Sequence, residues 1–89
     1  MNTPAASKVP EATWLRLTEF ATAVVESPTM AEQLTASQGL LEQATLVRQQ
    51  LVVAASDKGM PLAEIGRELS MSPEGARKLR LAALKELDR

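Results

Sequence analysis

Apolar residues recur every three or four positions along most of this chain, the spacing of helices with one buried face. Residues 10–27 predict the first helix, which ends before Pro28 because a residue that precedes proline is pushed out of the helical region. Its apolar stripe spans about 140° at 100° per residue, and we expect it to lie in the core or at a dimer surface. The stripe consists of Trp14, Leu17, Phe20, Ala21, Val24 and Val25.

The next segment predicts a short helix over residues 30–37, with Met30 and Leu34 directed inward. Gly39 marks an expected break, although a helix that continued through it would lose only about 1 kcal/mol.

Residues 40–56 form the most apolar segment and predict a further helix, ended by Gly59. Leu46 and Val53 lie opposite its main stripe, so we expect this helix to be covered by two neighbours or shared with a second subunit. The main stripe comprises Leu40, Leu41, Ala44, Val47, Leu51, Val52 and Ala55.

Residues 61–87 predict two helices joined by a tight turn. Leu69 closes the first apolar run, Ser72 is placed to cap the second helix, and Pro73 suits its first position. The inner face of the second helix consists of Ala76, Leu79, Ala83 and Leu87, with Leu84 at its margin, and its outer face of Glu74, Arg77, Lys78, Leu81 and Lys85.

These two helices resemble the DNA-binding helix-turn-helix of bacterial sigma factors, called region four, and of the small regulators that share it. The resemblance implies that the second helix enters the major groove of DNA. Nothing in the chain before Asp57 resembles a domain that grips RNA polymerase, so the resemblance implies a stand-alone regulator. The matching positions are Leu62, Glu64, Ile65, Gly66, Glu68, Leu69, Ser72, Glu74, Arg77, Leu79, Ala83, Leu84, Lys85 and Leu87.

The chain departs from this family at three positions. Pro61 stands where the family has a capping threonine or serine, and Met60 cannot cap, so the first helix is expected to begin without a side-chain cap. Pro73 and Gly75 replace longer side chains that in relatives reach the phosphates or bases.

Arg77 and Lys78 are the first candidates for DNA readout, because their turn of such a helix meets base edges and both can donate to guanine. Glu74 is second: it can accept from cytosine, or it can simply complement the positive helix end. The full set of expected DNA-contacting residues is Ser72, Glu74, Gly75, Arg77, Lys78, Leu81 and Lys85.

The other members of this set have more than one interpretation. Ser72 caps the helix and can also donate to a phosphate, Gly75 lets the backbone approach the duplex, and Leu81 can meet a thymine methyl group. Lys85 serves equally as a phosphate contact or as a partner of the helix dipole. The whole outer face can also be merely solvated.

Two further residues near this face are expected to be structural. Arg80 lies near the core side, where we expect it to pair with Glu64 or Glu68. Gly66 is expected to permit close packing where the two helices cross.

Composition agrees with a small helical module. The 89 residues include one Trp and one Phe. Aliphatic and alanine side chains must therefore form the core, and dimerisation is a common remedy for a core of this size. The net charge is −1, but residues 57–89 carry seven basic and six acidic side chains. Local cations, not the net charge, determine binding to phosphates.

Cysteine and histidine are absent, which excludes disulfides and Cys/His zinc sites and removes the commonest general base. With no phosphate loop or nucleophile constellation, we expect no enzyme activity, no cofactor, no metal and no small-molecule site. No apolar run is long enough to cross a membrane, and we expect a cytoplasmic protein.

We therefore expect an all-α fold of four to five helices with a C-terminal helix-turn-helix. Residues 1–9 are expected to be a disordered arm, residues 10–58 a helical part that dimerises, and residues 59–89 the DNA-binding part. The expected function is sequence-specific transcriptional regulation by a homodimer on double-stranded DNA. The alternatives are an adaptor that binds RNA polymerase, a toxin or a second regulatory protein, and a structural role in handling phage or plasmid DNA.

Overall fold

The structure, a computed structural model, describes residues 9–87, with the backbone alone at residue 87. Within this range all regular structure is helical, which confirms the all-α prediction. The four helices are α1 (Glu11–Glu26), α2 (Met30–Asp57), α3 (Leu62–Glu68) and α4 (Pro73–Leu87). They fall into two compact units, Val9–Val47 and 48–87. The predicted disordered arm lies outside the described residues except for Val9, which is buried.

Helix α1 begins and ends at the prolines that the sequence indicated. Pro10 is extended, and its carbonyl oxygen accepts a hydrogen bond from the Thr13 amide at 3.0 Å. Ser27 is extended as well, as expected of a residue before proline. Its amide still donates to the Ala23 carbonyl at 2.9 Å. The predicted first helix is therefore confirmed to within one residue at each end.

Thr29 caps the start of α2. The Glu32 amide donates to Thr29 Oγ1 at 3.1 Å, and the Thr29 hydroxyl donates to the Glu32 carboxylate at 3.0 Å. This pair is a variant of the capping box, whose Ser/Thr-x-x-Glu spacing can be read from the sequence. It makes residue 30 the first of the helix.

The expected break at Gly39 is wrong, because α2 continues through this residue to Asp57. A Cβ atom built on Gly39 would overlap three atoms of the Phe20 ring, so the ring of α1 packs directly on the α2 backbone. Nearby, Gln33 Nε2 donates to the Val24 carbonyl at 2.9 Å. Gly39 is thus a close-packing residue, and this contact between the helices offsets its poor helix propensity.

The inward orientation predicted for Met30 and Leu34 is also wrong: their exposed fractions are 70% and 64%. Three large residues of the predicted stripes are exposed too: Val25 on α1 at 79%, and Leu41 and Leu51 on α2 at 63% and 39%. The stripe alanines Ala21 and Ala44 are also exposed. Val47 is buried as expected. Apolar periodicity located these helices correctly, but the chain does not cover all of the apolar positions.

In the unit of residues 48–87, the end of α2 packs with α3 and α4. Val52, Ile65 and Ala76 are buried together at its centre. Partly buried apolar side chains surround them, namely Ala55, Leu62, Leu69, Met71 and Leu79. None of the helices described is long and apolar enough to cross a bilayer.

Candidate functional site

Helix α2 ends in the glycine stop that the sequence predicted. Gly59 adopts a φ of +94°, and the Met60 amide donates to the Ala55 carbonyl at 3.0 Å. This is a Schellman motif, in which a left-handed residue turns the chain out of the helix. Helix α3 then begins after extended Pro61 with no side-chain cap, as expected from the absence of serine or threonine there.

The same motif ends α3, but with a serine in place of glycine. Ser70 has a φ of +59°, and the Met71 amide donates to the Gly66 carbonyl at 2.8 Å. A left-handed φ is unfavourable for residues other than glycine and asparagine. The turn between α3 and α4 therefore carries local strain at Ser70. Sequence reasoning placed a turn here but gave no signal for its conformation.

Gly66 lets this turn fold tightly against α3. A Cβ atom at Gly66 would lie 2.7 Å from the carbonyl oxygen of Met71 and 2.9 Å from that of Ser72. The predicted packing role is confirmed, with one correction: the glycine packs against the backbone of the turn before α4. Any side chain here would push the start of α4 away.

Ser72 caps α4 as predicted: its Oγ accepts a hydrogen bond from the Gly75 amide at 3.0 Å, and Pro73 follows as the first helical residue. Gly75 is half-buried, and a Cβ atom built on it would lie 3.3 Å from Ser72 Oγ and 3.5 Å from the Met71 Cβ. The side of Gly75 that lacks a Cβ atom therefore faces Met71 and Ser72 of the turn, and the space that its missing side chain leaves is in contact with them.

Helix α4 has the two faces that its pattern indicates. Ala76 and Ala83 are completely buried on the inner face, with Leu79 and Leu84 half-buried beside them. The outer face is exposed to solvent over three helical turns and consists of Glu74, Arg77, Lys78, Leu81 and Lys85. The structure thus brings five of the seven expected DNA-contacting side chains onto one accessible surface. We call these five residues the outer face of α4.

Glu74 and Arg77 form an ion pair on the outer face. Arg77 Nε donates to both carboxylate oxygens, at 3.0 and 3.1 Å, and Arg77 Nη2 also donates to the carboxylate. The side-chain hydrogen bond from Arg77 lowers the pKa of Glu74 below its usual value, and the same bond raises the pKa of Arg77. The carboxylate thus holds the guanidinium in one orientation and partly neutralises it.

Lys78 and Lys85 form no ion pair with another residue of the described range, and both are exposed. Leu81 lies between them on the same face, with 48% of its surface exposed. The outer face therefore offers two ammonium groups, a guanidinium held by its own helix and an exposed leucine. Such a surface can donate hydrogen bonds to phosphate oxygens or to acceptors on base edges.

Arg80 braces α4 from the inner side. Its Nε donates to Ser56 Oγ on α2 at 2.7 Å, in a partly buried contact. The predicted partners, Glu64 and Glu68, are therefore not the ones that it contacts: its partner lies at the end of α2. Sequence reasoning missed Ser56, since it precedes Arg80 by 24 residues and no local pattern joins them.

In comparisons with protein-family models, with curated proteins and with solved structures, nothing matches this chain.

Proposed function

We propose that this protein is a sequence-specific DNA-binding regulator in which α3 and α4 form a helix-turn-helix and the outer face of α4 enters the major groove. One observation carries the proposal: α4 is buried completely on one side, at Ala76 and Ala83, while its opposite side is exposed and presents cations to solvent. A groove-reading helix needs this division, because its scaffold must hold one side while the duplex covers the other.

The local charge supports this use. Residues 48–87 carry seven basic and five acidic side chains, although the whole chain has a net charge of −1. Because Glu74 occupies part of the Arg77 guanidinium, the non-specific affinity of one copy for phosphates is expected to be modest. The order in the first turn, set by the Ser72 cap and the Glu74–Arg77 pair, favours base readout by limiting the positions that the guanidinium can take.

The protein is proposed to act as a homodimer. Two copies of α4 related by a two-fold axis would meet half-sites of a palindrome about one helical turn apart, roughly 34 Å, or a multiple of it. Once one copy is bound to its half-site, the other copy is held close to the second half-site and binds it more readily. This compensates for the modest binding of a single copy.

The test begins with selection of bound duplexes from a random pool and continues with fluorescence anisotropy on the selected duplex over a range of salt concentrations. Arg77→Ala combined with Lys78→Ala is expected to abolish specific retention and to reduce the slope of log affinity against log salt by about two. Arg16→Ala combined with Lys58→Ala removes the same charge away from α4 and is expected to leave retention within about threefold of wild type.

A third variant, Glu74→Gln, releases Arg77 and removes a negative charge from the outer face. It is expected to raise affinity for an unselected duplex by up to about eightfold at about 0.1 M salt, the value of one additional phosphate contact. If Arg77→Ala/Lys78→Ala binds duplex as well as wild type, the assignment of the groove-binding face is wrong, and an adaptor that binds another protein becomes the better explanation.

A further inference from the structure

A heptad repeat of uncharged residues runs along an exposed side of α2. Its members are Met30, Leu34, Ser37, Leu41 and Ala44, spaced alternately four and three residues apart. With 3.6 residues per turn they all fall within one quarter of the helix circumference. All five are exposed, and the large side chains at positions 30, 34 and 41 are 63–70% exposed. We call these five residues the α2 seam.

The side of α2 that contacts its own chain lies opposite this seam. Gly39, against which the Phe20 ring packs, is diametrically opposite Met30 around the helix. Leu46 falls on the same side as Gly39 and is half-buried, so the side of α2 opposite the seam is partly covered within the protomer. The contacts of α1 with α2 thus leave the seam uncovered.

The positions that flank the seam are uncharged too, which distinguishes it from a solvated helix face. Ala31, Gln38 and Thr45 border it on one side, and Gln33 and Leu40 on the other. A helix surface that faces water usually carries charged residues, whereas none of these five border positions and none of the five seam positions is charged.

We infer that the α2 seam is the surface through which two copies of this chain pair, as an antiparallel two-helix contact centred near residue 39. The inference rests on the homodimer part of the proposed function and does not require duplex binding. It identifies both the surface and the orientation of that dimer.

The sizes of the seam residues indicate a second copy as the occupant. In an antiparallel pairing about residue 39, Leu34 meets the partner's Ala44, and Leu41 meets the partner's Ser37. Each leucine then opposes a small side chain, in both halves of the contact, because the two-fold axis repeats the arrangement. Met30 lies opposite the partner's Arg48, whose aliphatic stem can pack on it while the guanidinium reaches water. The seam is therefore complementary to itself.

A parallel pairing in register lacks this complementarity. It would place Ser37 against Ser37 and Ala44 against Ala44, which leaves gaps between the leucine layers. The next position of the repeat is Arg48, which a parallel pairing would set against its own copy, with like charges in contact.

The small core of the protomer supports the same conclusion. Among the residues described, no large side chain is fully buried, whereas several large apolar side chains are more than half exposed. A chain of this size that leaves so much apolar surface in water commonly completes its core by association.

The surface is tested by sedimentation of the full chain without DNA. Wild type is expected to show twice the protomer mass at high micromolar concentration. Leu34→Glu combined with Leu41→Glu is expected to give a monomer with unchanged helical content, because both positions are already exposed. The monomer–dimer midpoint should move at least about 100-fold in concentration. The matched control, Leu15→Glu combined with Val25→Glu on exposed positions of α1, should remain dimeric.

Orientation is tested with single cysteines, since the chain contains none. Gln38→Cys lies at a flanking position that meets its own copy only in the antiparallel pairing, so it is expected to form a disulfide-linked dimer on oxidation. Ser37→Cys meets its own copy in a parallel pairing and is expected to link much less.

Three results would overturn the inference. These are a wild-type monomer at high micromolar concentration, a dimer that survives the seam substitutions, and efficient linking through Ser37→Cys with none through Gln38→Cys. A monomer that still binds duplex would reject the dimer and leave the groove assignment intact. A dimer that depends on the seam but binds no duplex would support the pairing surface and reject the assignment of the groove-binding face.

Discussion

Gly66→Ala is the substitution whose effect on the free energy of unfolding follows most directly from the structure. The added Cβ would lie 2.7 and 2.9 Å from two carbonyl oxygens of the turn, and backbone atoms cannot move aside as a flexible side chain can. Overpacking of this kind costs about 1–3 kcal/mol, and weakening the hydrogen bond from the Met71 amide to the Gly66 carbonyl costs about 1 kcal/mol more.

The gain in helix propensity from glycine to alanine, about 1 kcal/mol, offsets part of this cost. We therefore expect Gly66→Ala to lower the free energy of unfolding by about 2 kcal/mol and the melting temperature by about 10 °C. Urea denaturation followed by circular dichroism gives the first quantity, and thermal unfolding gives the second.

Gly75→Ala provides a matched control in the adjoining helix. Its Cβ would approach only side-chain atoms, the nearest at 3.3 Å. Its stability should therefore stay within about 1 kcal/mol of wild type. If Gly66→Ala were as stable as Gly75→Ala, the turn could not lie as close to α3 as described, and something other than this contact would position the start of α4.

Three further predictions concern the strained turn, the helix packing and the ion pair. Ser70→Gly is expected to raise the free energy of unfolding by about 0.5–1 kcal/mol in urea titrations, because glycine tolerates the left-handed φ of this residue; a loss of stability would show that the serine side chain contributes more than the strain costs. Gly39→Ala is expected to cost about 1.5 kcal/mol by overpacking against Phe20. Phe20→Leu should recover part of that loss in a double-mutant cycle, whereas additive effects would argue against direct contact. Glu74→Gln removes the ion pair with Arg77. Since the folded pKa of Glu74 is lowered, the pair stabilises the protein above the ordinary carboxyl pKa of 4.5 and the benefit disappears as pH falls through the folded value, so wild type and variant should differ in thermal stability at neutral pH and converge in acid.

The elements that the sequence predicted correctly depend on local signals. Pro28 ends α1 and Gly59 ends α2, each through its own backbone preference. Ser72 and Pro73 begin α4, and the inner and outer faces of α4 follow from the helical period. In each case the cause lies within a few residues of its effect, so no knowledge of the fold was needed.

The errors occurred where a distant part of the chain decides the outcome. Gly39 is a helix-breaking signal by itself, but Phe20 packs on it and the helix continues. Arg80 bonds to Ser56 instead of a nearby carboxylate, because the fold brings α4 beside the end of α2. Tertiary contacts overrule local preference at both positions.

The exposure of Leu34 and Leu41 has a different origin. Periodicity shows that a helix has an apolar face, but it does not show whether the same chain or a second copy covers that face. Both leucines belong to an apolar pattern that the sequence revealed, and only the accessible surface of the protomer shows that the chain leaves them in water.

The outer face of α4 and the α2 seam are each expected to form only a weak contact, the first with DNA and the second with another copy of the chain. With Glu74 holding Arg77, a single outer face has few unoccupied cations, so one copy alone would bind phosphates weakly. The seam likewise offers only a few large apolar side chains, which corresponds to a weak dimer in the absence of other contacts. Two weak contacts of this kind reinforce each other on a palindrome, because the duplex holds both copies near one another and each copy raises the effective concentration of the second. Under the proposed function, occupancy of the duplex would then depend steeply on protein concentration.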